Sequence, residues 1–359
     1  MIRGHGGDIY GLARKLGCEP HEIDDMSSNV NPLGPPPELM RHLEDHLDRI
    51  RALPEADAVD IRREFASSHN IEPDQVLAGN GTTQIIYDLP RALRLRDALI
   101  VGPTYADYED GCRQNGLVPR FVHSREDNDF QIDPDDLQAQ IASADAVYLC
   151  HPNNPTGQLM AADTLRSLCR AFPHTTFVID ESYLPFVPQH EAHSLIRERP
   201  ANALVLHSMS KIFGIPGLRV GFVVGHADRI ARLNRLARPW AVNSLAQSAV
   251  RFLLAHEVAC RAFVGRTQDF VRTEREVMAQ RLRAISGSIV FPSQTGFFML
   301  KLPAPHRSDA ICRHLQAEKI LIRDCANFNG LSGDFIRISL KSPDVNRKCA
   351  ELLRKYLAV

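Results

Sequence analysis

Short, almost unbroken apolar runs recur through the first two thirds of the chain, and each ends in Gly, Pro, Asn, Asp or Ser. Gln75-Val76-Leu77-Ala78 runs into Gly79-Asn80-Gly81, Ala98-Leu99-Ile100-Val101 into Gly102-Pro103, and residues 146–150 into His151-Pro152-Asn153-Asn154-Pro155. Residues 176–179 run into Asp180-Glu181, residues 203–206 into His207-Ser208, and residues 218–224 read as one more strand. Helical spacing lies between them, as in Ile85, Ile86, Leu89 and Leu93, and earlier in Leu39, Met40, Leu43, Leu47 and Ile50 behind Pro36-Pro37. Strands without polar alternation are buried on both faces, so the pattern predicts a mostly parallel sheet covered by helices.

After Trp240 the pattern changes. A long polar helix is expected from about 257 to 284, then strands over 288–291 and 296–301 and a helix over 309–318. Strands over 320–323 and 335–340 and a closing helix over 345–357 follow. This reads as a smaller α+β unit completed by the N-terminal segment. The expected division is 40–245 for the large α/β unit, and 1–39 plus 246–359 for the small one. In open α/β sheets ligands bind at the carboxyl ends of the strands, which is where the Gly-, Pro- and Asn-rich residues fall.

Composition narrows the functional classes. A net charge of −1 over 359 residues gives no field for nucleic acid or anionic membrane. No apolar stretch reaches the ~18 residues of a membrane span, and Met1 to Asp8 lack the apolar core of a signal peptide. The eight cysteines are dispersed without a C-x-x-C pair, which argues against a zinc site or disulfide framework and for a reducing cytoplasm, with no metal expected.

The chemistry concentrates in Ser208-Met209-Ser210-Lys211-Ile212-Phe213-Gly214-Ile215-Pro216-Gly217-Leu218-Arg219. This stretch resembles the Schiff-base lysine motif of the fold-type I pyridoxal 5′-phosphate (PLP) enzymes, the aspartate aminotransferase superfamily. The resemblance implies that Lys211 holds the cofactor aldehyde, with Ser208, Ser210 and Arg219 at its phosphate. It makes Asp180, 31 residues earlier, the partner of the pyridine nitrogen, and Tyr183 and Asn154 the donors to the ring oxygen. Tyr105 falls where the family stacks an aromatic on the ring. Gly81-Thr82-Thr83 opens a helix after a strand, so its backbone N–H groups form a phosphate cradle.

The flanking motifs sharpen this. His5-Gly6-Gly7, Ser28-Asn29-Val30-Asn31-Pro32-Leu33-Gly34, Pro239-Trp240-Ala241-Val242-Asn243 and the run from Ile320 to Leu331 together resemble the threonine-phosphate decarboxylase family of cobalamin biosynthesis. That resemblance implies substrate contacts at His5, Gly6, Asn31, Asn154, Arg323 and Arg337, two arginines suiting a phosphate and a carboxylate. Histidinol-phosphate aminotransferase and decarboxylases of other phosphorylated or phosphonate amino acids are the alternatives, since the arginines serve them equally. The family forms its active sites between two subunits, which implies a homodimer. One departure stands out: Leu53 replaces the tyrosine that relatives place before the proline to reach the neighbouring subunit's cofactor phosphate.

Overall fold

The computed structural model describes residues 5–358; residues 1–4 of the N-terminal stretch read above lie outside them. Seven strands form one sheet: β1 (Val76–Gly79), β2 (Ala98–Gly102), β3 (Arg120–His123), β4 (Ala146–Cys150), β5 (Thr176–Asp180), β6 (Ala203–His207) and β7 (Gly221–Gly225). Their order is β1-β7-β6-β5-β4-β2-β3. Strands β3, β2, β4, β5 and β6 pair in parallel, and β7 runs against both β6 and β1. Every residue of β2, β4, β5 and β7 is buried, which is why their sequences show no alternation.

The reversal of β7 matters for the site. Its first residues lie at the sheet edge where the parallel strands end. The strand expected over 218–224 therefore starts later, because Pro216–Leu218 form a short 3₁₀ turn and Arg219 sits at φ +56°. Gly221 is required there: a Cβ would lie 2.6 Å from the Thr82 backbone nitrogen.

A second, antiparallel sheet of β8 (Ile289–Val290), β9 (Phe297–Lys301), β10 (Arg323–Asp324) and β11 (Phe335–Ser339) has the order β10-β11-β9-β8. The strand expected over 320–323 is divided. Ile320–Leu321 pairs in parallel with Asp24–Asp25, while Arg323–Asp324 joins β11. A continuous buried run gives no hint that its backbone changes partner at Ile322. The helix expected to reach Ile50 stops at Asp45 and gives way to a 3₁₀ turn over Leu47–Arg51. The long helix runs Glu257–Arg283 and the last helix Pro343–Leu357. One hydrophobic cluster runs through both sheets. All eight cysteines are free thiols, and among the described residues no helix is long and apolar enough to cross a membrane.

His151, directly after β4, is 0% exposed and neither ring nitrogen has a hydrogen-bond partner. Burial pushes its pKa down to about 3. The unfolded chain binds a proton near pH 6.5 and the folded chain does not, so this group's contribution to stability is present above ~6.5 and lost as pH falls. Between about pH 7.5 and about pH 5.5 the loss is about 1.4 kcal/mol. The unfolding free energy of His151→Leu, measured in urea, should therefore fall by about that much less over the same interval; an unchanged pH dependence would contradict it.

Candidate active site

All eleven residues expected to bind the cofactor line one cavity of about 110 Å³ at the carboxyl edge of the large sheet. Asp180 is the last residue of β5, Ser208 follows β6, Asn154 follows β4, Tyr105 follows β2, and Gly81-Thr82-Thr83 open the helix after β1. The reversed β7 brings Arg219 to the same place.

Lys211 lies on the one-turn helix Met209–Ile212. Burial and the charges of Arg219 and Arg337 lower its pKa to about 8, with Asp180 and Asp25 opposing. At neutral pH roughly a tenth of the amine is then uncharged, the form that attacks a carbonyl. Burial raises the pKa of Asp180, while the Ser182 N–H (2.9 Å), the Tyr108 hydroxyl (2.8 Å) and the Lys211 charge favour its ionised form. Burial also raises the pKa of Tyr183.

The helix Gly81–Leu93 has no side-chain cap, so its first N–H groups need an acceptor. Gly81 takes φ +71°, and a Cβ there would lie 2.6 Å from Arg219 Nη2. A guanidinium is thus laid against a helix N-terminus, an arrangement that calls for an anion between them. Ser210 does not supply the hydroxyl donor expected of it, because its Oγ donates to the Val220 carbonyl at 3.0 Å.

The expected substrate residues divide between two spaces. His5, Gly6 and Arg323 line a second cavity of about 470 Å³. Arg337 stands between the two: one Nη donates to Asn154 Oδ1 of the first cavity, the other to the carbonyl of Ser27, which lines the second. Its Nε is buried without a partner. Arg337 and Arg323 are opposite each other across β10 and β11. His5 Nε2 is 3.4 Å from Asp107 Oδ1, and its ring meets Tyr105 edge-on at 6.1 Å. Gly6 serves packing, since a Cβ would lie 2.4 Å from the Ser27 carbonyl oxygen.

Asn31 departs from expectation. Its Nδ2 donates to the Ile212 carbonyl (2.6 Å) and to Thr267 Oγ1 (2.9 Å), its Oδ1 accepts from Leu33 N–H, and its own N–H donates to the Lys211 carbonyl. With both amide hydrogens spent, Asn31 fixes the lysine-bearing turn and has none for a substrate. Asn29, two residues earlier, has the less engaged amide: it is buried, its Oδ1 accepts from Ser339 Oγ (2.6 Å), and its Nδ2 faces Tyr183 alone. Tyr108 was also missed; its position three residues after Tyr105, on the first turn of the helix Asp107–Gln114, was the available signal.

Uncapped helix N–H groups, a guanidinium with no carboxylate partner among the described residues, a partly neutral lysine and a buried carboxylate in one narrow space fit a phosphate-bearing aldehyde with a basic ring nitrogen. The sequence profile described as aminotransferase class I and II matches residues 22–353, and the chain belongs to that family. The cofactor of these enzymes is PLP. Threonine-phosphate decarboxylase of Salmonella typhimurium is 34% identical over 362 residues, covering 98% of this chain and 96% of that one. The crystal structure of L-threonine-O-3-phosphate decarboxylase from Porphyromonas gingivalis superposes with a TM-score of 0.82 at 31% identity, over 93% of this chain and 99% of that chain. A histidinol-phosphate aminotransferase of Methanosphaera stadtmanae is more distant, 27% identical over 352 residues, 96% of this chain and 94% of that one.

The depressed lysine gives a test on cofactor-free protein. Labelling of Lys211 by an amine-directed reagent should show a midpoint near pH 8. Asp180→Asn should move it lower still, because it removes a charge that favours the ammonium. A midpoint near the ordinary lysine value, ~10.4, would contradict the assignment.

Proposed function

We propose that the chain decarboxylates L-threonine O-3-phosphate to (R)-1-amino-2-propanol O-2-phosphate, releasing CO₂, to supply the nucleotide-loop linker of cobalamin. The observation that carries this reading is the whole-chain similarity to a threonine-phosphate decarboxylase, greater than that to a histidinol-phosphate aminotransferase, and the pair of buried arginines on facing strands beside the lysine cavity fits it. A substrate with two anionic groups, phosphate and carboxylate, answers both. The 34% identity to a threonine-phosphate decarboxylase supports it.

In this reading Lys211 is the amine that attaches the cofactor, and Gly81, Thr82, Thr83, Ser208 and Arg219 hold the phosphate. Asp180 keeps a proton on the ring nitrogen, and Asn154 and Tyr183 face the ring oxygen, with Tyr105 against the ring. When bound, PLP supplies an electron sink for the pair left at Cα when a bond there breaks. The protein's task is to choose the bond. Arg323, Arg337 and His5 bind the two anionic groups and so orient the carboxylate, Asn29 adds a neutral donor, and Lys211, uncharged in part near neutrality, moves the proton that Cα receives. Ser210 and Asn31 act by holding the loop that presents Lys211.

Holoenzyme given L-threonine phosphate should release CO₂ and aminopropanol phosphate without any keto-acid acceptor. Glutamate formation from histidinol phosphate and 2-oxoglutarate, with no CO₂ from threonine phosphate, would favour the aminotransferase reading instead. Arg337→Met should lower kcat/KM by about 100-fold or more, as a charge-assisted contact and a buried partner are lost together.

We also read the chain as two units, 40–245 and 1–39 with 246–359, and as a homodimer in the cytoplasm. Support for the dimer is a set of exposed apolar side chains, Leu33, Met40, Leu47, Ile50, Leu53 and Trp240; the Trp240 backbone N–H donates to the Ala56 carbonyl at 2.9 Å. Leu53 is 73% exposed, so a leucine at this position serves contact between subunits where relatives have a hydroxyl. Trp240 is the sole tryptophan. Its emission should shift to the blue as concentration rises through the dimer range, in step with mass from light scattering; a monomer of full activity would refute the dimer.

A further inference from the structure

The two facing arginines are held in a way that differs from most arginines of the chain that make side-chain contacts. Arg120, Arg166, Arg251 and Arg307 each meet a carboxylate. Arg323 and Arg337 meet only neutral acceptors among the described residues. Arg337 donates to an amide oxygen and a backbone carbonyl, and its guanidinium carbon lies 5.4 Å from the Phe297 ring centre. Arg323 donates to Asn327 Oδ1 at 2.6 Å and lies 4.9 Å from the Phe328 ring centre. Burial lowers the pKa of both.

The loop that supplies Asn327 and Phe328 is anchored at both ends. Cys325 N–H donates to the Phe335 carbonyl of β11, and Phe328 N–H to the Cys325 carbonyl. Phe328 is buried among Phe130, Phe291, Met299 and Phe335. Farther on, Asn329 Oδ1 is 3.1 Å from His123 Nε2 on β3, and Gly330 takes φ +92° where a Cβ would lie 2.3 Å from the His123 ring. The edge strand of the large sheet thus fixes the loop.

We infer that Asn327 and Phe328 are positioning residues that hold the Arg323 guanidinium in place without neutralising it, and so set the preference of the second cavity for a phosphate. This rests on the proposed reading of Arg323 as a substrate group. An aromatic face and an amide oxygen orient a cation while leaving its full charge for a ligand. An aspartate at 327 would hold it as firmly but fill the anion site from within.

The test uses holoenzyme and inorganic phosphate in calorimetry, with steady-state kinetics on L-threonine phosphate alongside. Phe328→Leu keeps the apolar volume but removes the ring face, and should weaken phosphate binding about fivefold. KM for the phosphorylated substrate should rise with it while kcat and the cofactor absorption spectrum stay unchanged. Phe328→Tyr should restore wild-type values. Asn327→Asp should weaken phosphate binding more than Phe328→Leu does. Equal phosphate affinity in all four proteins, undetectable binding by the wild type, or a gain in Asn327→Asp would overturn the inference. Phosphate binding that follows this order in an enzyme inactive on threonine phosphate would keep the clamp and discard the proposed substrate.

Discussion

Uncompensated positive charge in a confined space governs the rest of the site. Arg219 and Arg337 depress the proton affinity of Lys211, Arg323 depresses that of Arg337, and Asp180 is the carboxylate that answers from within the first cavity. Removing such ions from water costs several kcal/mol each even after relaxation. The fold tolerates this because the missing negative charge arrives with the ligands. A protein arranged this way gains stability in proportion to what it binds, and its unliganded form is the less stable one.

The backbone makes this concentration possible by two unequal devices. In the large sheet, parallel strands deliver their loops to one edge, and a single reversed strand, β7, adds Arg219 to it. In the small sheet, register alone sets Arg323 against Arg337. Like charges directly opposite on neighbouring strands repel, and the surroundings answer with aromatic faces and amide oxygens rather than with acids. Tyr108 and Ser182 do the converse for Asp180, donating hydrogen bonds that help a buried carboxylate remain ionised.

The two halves of the site were unequally legible in the sequence. The cofactor side could be read because each residue lies at, or within a few positions of, a strand end, so a local pattern fixes its place in space. Where that reading went astray, the error was of direction rather than location: Ser210 is in the cavity but donates elsewhere. The substrate side depends on contacts between segments about 300 residues apart, such as Arg337 with Ser27 and Ser339 with Asn29. Nothing local distinguishes Asn29 from Asn31, and only packing against Thr267 and Ile212 shows which amide is already engaged. The run from Ile320 to Arg323 looked like one strand because burial was uniform while the pairing partner changed.

The N-terminal segment is stitched to the far end of the chain: Asp24–Asp25 lie along Ile320–Leu321, and the Ser339 N–H donates to the Met26 carbonyl. During synthesis the large sheet, complete by Gly225, can close on the ribosome while the first twenty-odd residues still lack a place to dock. A nascent chain then has the makings of its PLP pocket well before anything selects a substrate. The residues that choose a substrate are the last to be built, and until Arg337 arrives the lysine also lacks one of the two charges that lower its proton affinity.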